Sequence, residues 1–428
     1  MTALDFGPLL APGLPPPAAK WSGFPKYNFV GGHNDAAHVP VADLVKAAND
    51  VLTREGATLA TYGLESGSLG YRPLREFLAQ KLKRTAGIVC DADQILITSG
   101  SLQALDLVNG ILLARGDTIV TEAETYQGSL NRWTRRGVNA VGIPLDRNGM
   151  RMDALAAALD DLKRRNIRPK YIYTVPTVQN PTGTILNEAR RHDMLRLAEQ
   201  YGVPIFEDDC YADLIWDGKR PPALYAMSRH GGVIHIGSFS KSIAPALRVG
   251  FIVADWSLIS RMLAIKTDAG SGALEQMVLG EYCPAHFDAH VPALTKGLRR
   301  KLETLKDALN EQVRHHRRIR RSEGRHLPLG QAAGPGRYHE AVPVGARRRR
   351  RHQSRAGLDH RQELRQEPHA LVLRQSLPRS DPRRRRRLGR SLPPRIRRAG
   401  PHRQRAAAGA GLSATRTGCG GILSCVSR

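Results

Sequence analysis

Ser238-Phe-Ser-Lys-Ser-Ile-Ala-Pro-Ala-Leu-Arg-Val-Gly250 places an amine, hydroxyls and a guanidinium within thirteen residues. Lys241 can form a Schiff base with an aldehyde. Arg248 offers a planar fork of donors that grips a phosphate dianion from two directions, and the Ser238 and Ser240 hydroxyls add neutral donors beside it. The run follows the apolar stretch Val233 to Ile236, which reads as a strand. The site therefore lies at a strand's carboxyl end, where open α/β sheets bind ligands. A phosphate-bearing aldehyde cofactor, pyridoxal phosphate, needs this combination. A lone lysine in a Ser-rich loop would read as a solvated charge, so the assignment depends on what else the chain supplies.

Two further segments supply it. Gln179-Asn180-Pro181-Thr182-Gly183 follows the apolar run Tyr171 to Val175, and Phe206-Glu207-Asp208-Asp209-Cys210-Tyr211 closes the run Val203 to Phe206. Each puts polar side chains at a strand end. Taken alone, Asn-Pro-Thr-Gly is a turn. Upstream, Thr98-Ser99-Gly100-Ser101-Leu102-Gln103-Ala104-Leu105 follows the short run Ile95 to Ile97 and opens an apolar helix. A Gly-Ser turn there presents free amides and a favourable dipole to a phosphate, although Ser is also an ordinary N-cap.

Together these motifs resemble the fold type I pyridoxal phosphate enzymes, specifically the class I/II aminotransferases with their 2-aminoadipate and kynurenine aminotransferase-like branch, from about residue 28 to residue 312. The resemblance implies that Asn180 contacts the cofactor's phenolic oxygen and that Tyr211 hydrogen-bonds the phenolate. By the Asp-x-x-Tyr pattern, Asp208 pairs with the pyridine nitrogen, with Asp209 the alternative. A carboxylate there keeps the nitrogen protonated, so the ring can accept electrons from the substrate. Ser101 and the backbone amide of Leu102 are assigned to the phosphate; many relatives carry Gln where Leu102 stands. Tyr126, in Glu124-Thr-Tyr-Gln-Gly128, matches the residue that stacks on the pyridine. Tyr62, in Ala60-Thr-Tyr-Gly-Leu-Glu-Ser-Gly-Ser-Leu-Gly70, matches one that crosses to a neighbouring subunit's phosphate, which implies a homodimer. The implied reaction is transamination between an amino acid and a 2-oxo acid in two ping-pong halves, with Lys241 moving the alpha proton.

The expected fold is α/β: a large domain at 31–285 on a mostly parallel, helix-covered sheet, behind an irregular Pro-rich arm at 1–30. An interdomain helix at 286–312 carries Leu298, Leu302, Leu305 and Leu309 at helical spacing. Beyond it the composition changes abruptly. Residues 313–428 contain 30 Arg, no Lys and 6 acidic residues, which is +24 of the chain's net +26. The preceding 312 residues are nearly neutral, with 35 basic and 33 acidic side chains. Clustered arginine can bind nucleic acid, and a segment poor in aromatic and apolar residues can be a disordered tail. Neither explains thirty Arg without one Lys.

A gene read out of frame does. Starting one base into the codon of Val313, residues 313–331 permit Phe-Gly-Thr-Thr-Ala-Glu-Phe-Glu-Asp-Pro-Lys-Gly-Gly-Ile-Phe-Leu-Trp-Val-Lys. Residues 347–356 permit Ala-Ala-Gly-Val-Ala-Ile-Asn-Pro-Gly-Pro, and 368–374 permit Arg-Met-Arg-Leu-Cys-Phe-Ala. These resemble later family segments in the right order, so the sequence reads as one extra base before codon 313. On this reading the tail is disordered and stands in place of the small C-terminal domain. The family's carboxylate-binding Arg is then missing, with Pro368 where the shifted frame would permit it. Nucleic acid is not an expected partner despite the basic tail.

Other features narrow the class. No charged start followed by an apolar core marks a secretory leader, and no run of eighteen apolar residues marks a membrane span. Cysteines at 90, 210, 283, 419 and 425 have no metal spacing and fit a reducing cytoplasm. The same site chemistry on this fold also serves lyases acting by beta-elimination or decarboxylation. It serves, too, as the ligand domain of transcription regulators whose winged helix would need roughly seventy residues ahead of position 30, more than this chain has there. A cofactor-binding pseudoenzyme or broken gene product is the further alternative. Substrate choice is expected to involve the arm around Phe29-Val-Gly-Gly-His-Asn34 together with the lost small domain, with a 2-oxoglutarate-linked amino donor as the working expectation.

Overall fold

In the computed structural model the described residues are 4–29, 31–216 and 219–312; the Arg-rich segment 313–428 lies outside them. The chain order is α1 (Val41–Glu55), α2 (Arg72–Ala86), β1 (Ile95–Ser99), α3 (Gly100–Leu112), β2 (Thr118–Glu122), α4 (Gln127–Arg136), β3 (Asn139–Ile143), the small hairpin β4 (Leu145–Asp146) and β5 (Gly149–Met150), and α5 (Met152–Arg164). It continues with β6 (Ile172–Thr174), α6 (Glu188–Tyr201), β7 (Ile205–Asp208), α7 (Leu224–Met227), β8 (Val233–Ser238), β9 (Val249–Val253), α8 (Trp256–Ile265) and α9 (Ala273–Gln312).

Among the described residues seven strands form one sheet in the order β1-β9-β8-β7-β6-β2-β3. The run β8-β7-β6-β2-β3 is parallel, and β9 is antiparallel to both of its neighbours, β1 and β8. The expected mostly parallel α/β sheet is therefore present. β2, β6, β7, β8 and β9 are buried along their whole length. A strand covered on both faces reads as a continuous apolar run rather than an alternating one, as Val233 to Ile236 does. One face packs on α3 and α8 through Leu105, Val108, Ile259 and Met262. The other carries α5 and α6, with Leu155, Leu159 and Leu162 at helical spacing on the buried side of α5.

The helix expected at 286–312 is the second part of α9, which begins at Ala273 and carries Pro284 and Pro292 internally. Each proline removes one backbone donor from the helix ladder. The helix packs against α1 and α2 through Met277, Leu279, Tyr282 and Phe287. Its leucine stripe is only half covered among the described residues: Leu298 and Leu302 are buried, while Leu309 is 40% exposed. Val41 and Val45 on α1 are also exposed.

Because parallel strands share direction, the carboxyl ends of β1, β2, β6, β7 and β8 share one edge of the sheet. Ser99, Glu122, Thr174, Asp208 and Ser238 end those strands, and the site is built there.

Candidate active site

A cavity of about 150 Å³ opens at this edge. Its lining includes Lys241, Asp208, Asn180, Tyr211, Tyr126, Ser101, Ser238 and Ser240, with Gly31 and Gly32 from the arm, Val175 and Cys210. Thus the structure brings most of the sequence-derived candidates around one space. A larger hollow of about 540 Å³ beside α6 lies at the opposite ends of β7 and β8 and holds none of the candidates.

The Lys241 amine donates to the Gly32 carbonyl at 2.8 Å. Burial holds this amine below the ordinary lysine value, against an opposing influence from Cys210 and with a lesser downward push from the Arg248 guanidinium. A larger neutral fraction at neutral pH makes it a better nucleophile than an exposed lysine. Asn180 Nδ2 donates to the Tyr211 hydroxyl at 3.0 Å. Asp208 accepts from the Tyr173 hydroxyl at 2.7 Å, and Tyr173 in turn accepts from Ser129 Oγ at 3.0 Å. Burial raises the Asp208 carboxyl, opposed by the donors of Cys210 and Tyr173.

Asp209 points elsewhere. It pairs with Arg220 at 2.5 Å in a buried charged network that includes Arg191, Glu207 and His235. Against the cost of burial, Arg220, His235 and Arg191 hold its carboxyl below the ordinary range. Glu207, Asp209 and His235 could bridge a metal by distance, but Arg191 and Arg220 already supply the compensating charge. Of the two aspartates, Asp208 is the one that lines the cavity.

The phosphate candidates cluster at the junction of β8, β9 and α3. Ser238 Oγ lies 2.9 Å from Ser240 Oγ, and Arg248 Nη1 donates to Ser240 Oγ at 3.4 Å. Two glycines permit this approach. A Cβ on Gly250 would come within 2.7 Å of the Ser101 amide nitrogen, and one on Gly100, at φ +70°, within 2.2 Å of Arg248 Nη2. Leu102 packs its side chain partly against the core cluster under α3 and does not line the cavity. Tyr62 is not brought to the cavity either: it is 89% exposed on the rim of a separate hollow formed with Lys266 and Ser271.

Sequence reading passed over several residues. Tyr173 lies inside the buried strand β6, where a polar residue carries little local signal, whereas Glu122 closes β2 as Asp208 closes β7. Gly31 and Gly32, some 210 residues before Lys241 in the chain, belong to the segment Phe29 to Asn34 expected to bear on substrate choice, but their contact with Lys241 was not foreseen. Glu122 is 2% exposed, and burial raises its carboxyl from the usual 4.5 to about 7, against donors from Thr174, Gln179 and Val175 and with a further push from Asp208. A folded-state value above the unfolded one stabilises the fold fully below about pH 4.5, and this contribution disappears as pH rises through about 7. Glu122→Gln abolishes that titration. Denaturant melts at pH 5 and pH 8 should therefore move in the variant's favour at the higher pH, by at most about 3 kcal/mol; a pH-independent difference would remove Glu122 as the titrating group.

Residues 27–324 match the family described as aminotransferase class I and II. The chain is 34% identical over 275 residues to aromatic-amino-acid aminotransferase 1 of Thermococcus litoralis, covering 64% of this chain and 65% of that protein. It is also 34% identical to a helix-turn-helix-type transcriptional regulator of Bacillus subtilis, YisV, over 63% of this chain and 57% of that one. Among solved structures, the kynurenine aminotransferase of Pyrococcus horikoshii, crystallised with PMP, superposes with a TM-score of 0.63 at 34% identity, covering 66% of this chain and 70% of that one. This chain belongs to the aminotransferase class I and II family, on the fold type I architecture. It spans less than two thirds of the length of those two sequence relatives.

The cofactor of the family, pyridoxal 5'-phosphate, fits the residues present. Asn180 Oδ1 is buried and meets no donor among the described residues, so it stands as an acceptor awaiting a partner. The lining hydroxyls of Ser101, Ser238 and Ser240, with the Arg248 guanidinium behind Ser240 though not itself in the lining, suit a phosphate, and the buried Asp208 carboxyl suits a protonated ring nitrogen.

Proposed function

We propose that the chain binds pyridoxal 5'-phosphate at this edge and transfers an amino group between an amino acid and a 2-oxo acid. The observation that carries this reading is the convergence of Lys241, Asp208 and the Asn180–Tyr211 pair on one cavity, in a chain of aminotransferase family. When bound, the cofactor supplies an aldehyde that carries the amino group and a ring that withdraws electrons. Lys241 would hold the cofactor covalently, and its free amine would take the substrate's alpha proton and return it, acting as base and then acid. Its lowered affinity for protons suits the first of these roles. Asp208, oriented by Tyr173, holds the ring nitrogen's proton. Asn180 and Tyr211 meet the phenolic oxygen, Tyr126 faces the ring, and Ser101, the Leu102 amide, Ser238, Ser240 and Arg248 take the phosphate.

In this reading Tyr62, exposed in a single chain, reaches the phosphate site of a second copy, so the active form is a homodimer. The unpaired thiols of Cys90, Cys210 and Cys283 favour a cytoplasmic setting. No helix among the described residues is long and apolar enough to cross a membrane. A second reading, a product that holds cofactor without turnover, is favoured by the Arg-rich composition of 313–428.

One experiment separates them. The chain is mixed with pyridoxal phosphate and candidate amino donors, and both the absorbance of lysine-bound cofactor and the release of 2-oxo acid are followed. Cofactor capture with ping-pong turnover supports the transaminase; capture without turnover supports the second reading. Absence of capture overturns both.

A further inference from the structure

Pro176 to Thr184, the loop after β6, carries Asn180 to the cavity in a strained shape. Val178, fully buried and β-branched, sits at φ +56°, a left-handed conformation rare for such residues. Strain of this kind persists only where the surroundings over-determine it. One neighbour does so conspicuously. Gln179 is 1% exposed and spends its whole side chain: Nε2 donates to Glu122 Oε2 at 3.0 Å and to the Glu124 carbonyl at 2.6 Å, while Oε1 accepts from the Thr182 amide at 2.8 Å and the Thr182 hydroxyl at 2.7 Å. Its main chain closes the same loop, accepting from Gly183 N at 2.6 Å and donating to Thr184 O at 2.9 Å.

Glu122 fixes this glutamine from the end of β2. Its other oxygen, Oε1, accepts from Thr174 Oγ1 at 2.6 Å and from the Val175 amide at 3.0 Å. One buried carboxylate therefore ties three pieces together: the end of β6, the Asn180 loop, and, through the Gln179 bond to Glu124, the segment leading to Tyr126. Two groups that face the cavity from different loops are set against each other by it.

We infer that Glu122 and Gln179 are positioning residues of this site: a buried clamp that fixes the Asn180 loop and the Tyr126 segment in cofactor-binding geometry before the cofactor arrives. Neither side chain lines the cavity, so the clamp acts through Asn180 and Tyr126. The inference rests on the cofactor reading above for its function, but not for its mechanics.

The test uses the full chain with Glu122→Gln, Gln179→Ala and the double variant. Without cofactor, amide hydrogen exchange at Thr182 and Gly183 is expected to rise about tenfold or more in each, while amides of β8 and α3 exchange as in the parent. With cofactor, the dissociation constant for pyridoxal phosphate is expected to weaken about tenfold and the absorbance maximum of the bound form to shift. The double variant should be no worse than the poorer single one, since both break the same interaction. Unchanged exchange at Thr182 and Gly183, or additive losses in the double variant, would overturn the clamp. If exchange rises as expected but the parent captures no cofactor, the cofactor reading fails and the clamp stands. Should a variant lose protection throughout, Thr182→Val, which deletes the hydroxyl bond to Gln179 together with that hydroxyl's bonds to Thr184, takes its place: a rise that includes the Gln179 amide and stays within residues 179–184 upholds the clamp, and no rise there overturns it.

Discussion

Lys241→Ala is expected to abolish the absorbance band of lysine-bound pyridoxal phosphate and to lower any turnover by about 10⁴-fold, the upper end of what a positioned acid–base group supplies. No other side chain among the lining residues is an amine, so the covalent attachment has no substitute. The cofactor should still bind more weakly through Ser238, Ser240, Arg248 and Asp208, leaving a free-aldehyde spectrum rather than none. The variant should fold, because the Lys241 side chain is held by the Gly31 and Gly32 carbonyls and not by the apolar core. A persistent lysine-type band would remove Lys241 from its role and send the assignment to another amine.

The second large effect concerns the reading frame. Resequencing the source DNA across codons 305–320 should show one base fewer, ahead of codon 313, than the present reading frame implies. A gene with that base deleted is expected to yield a product whose amino-group transfer exceeds that of the printed chain by about 10²-fold or more, the scale of loss when substrate is misplaced by about 1 Å. In this family's pattern the restored segment brings the Arg that grips the substrate's carboxylate. Cofactor capture should differ little between the two products, since the described cavity draws all its lining from residues 31–241. Equal turnover in both would show that the small domain is dispensable and would sink the frame-based account of impairment. An unchanged base count in the source DNA would instead leave a genuine Arg-rich product.

Much of the site was readable because its residues stand where apolar runs stop. Asp208 and Ser238 terminate strands, and Asn180, Tyr211, Lys241 and Arg248 follow within the next ten or so residues, so polarity changes sharply at each. The sheet itself was readable from the same unbroken runs. What escaped were Tyr173, which sits inside β6, and Glu122, which closes β2 as Asp208 closes β7 but was not singled out. Their purpose appears only when β2, β6 and β7 lie side by side. The antiparallel course of β9 was also hidden: Val249 to Val253 is as apolar as any parallel strand, and nothing in its composition records direction. The Lys241 contact with Gly32 depends on tertiary proximity alone. The leucine stripe of α9 was legible as a helix but not as half-covered, because coverage belongs to whatever faces it.

The placement of β1 at the sheet's edge has a temporal meaning. Among the described residues its hydrogen-bonded neighbour is β9, some 150 residues later, so Gly100 and Ser101 cannot meet Arg248 until Val249–Val253 has been added. Such distant pairing is slow to form because a long intervening loop must close first. On a ribosome delivering the chain from its N-terminus, the phosphate end of the pocket is therefore the last part to be assembled. The moment at which a growing chain first turns yellow with cofactor would mark the completion of the sheet.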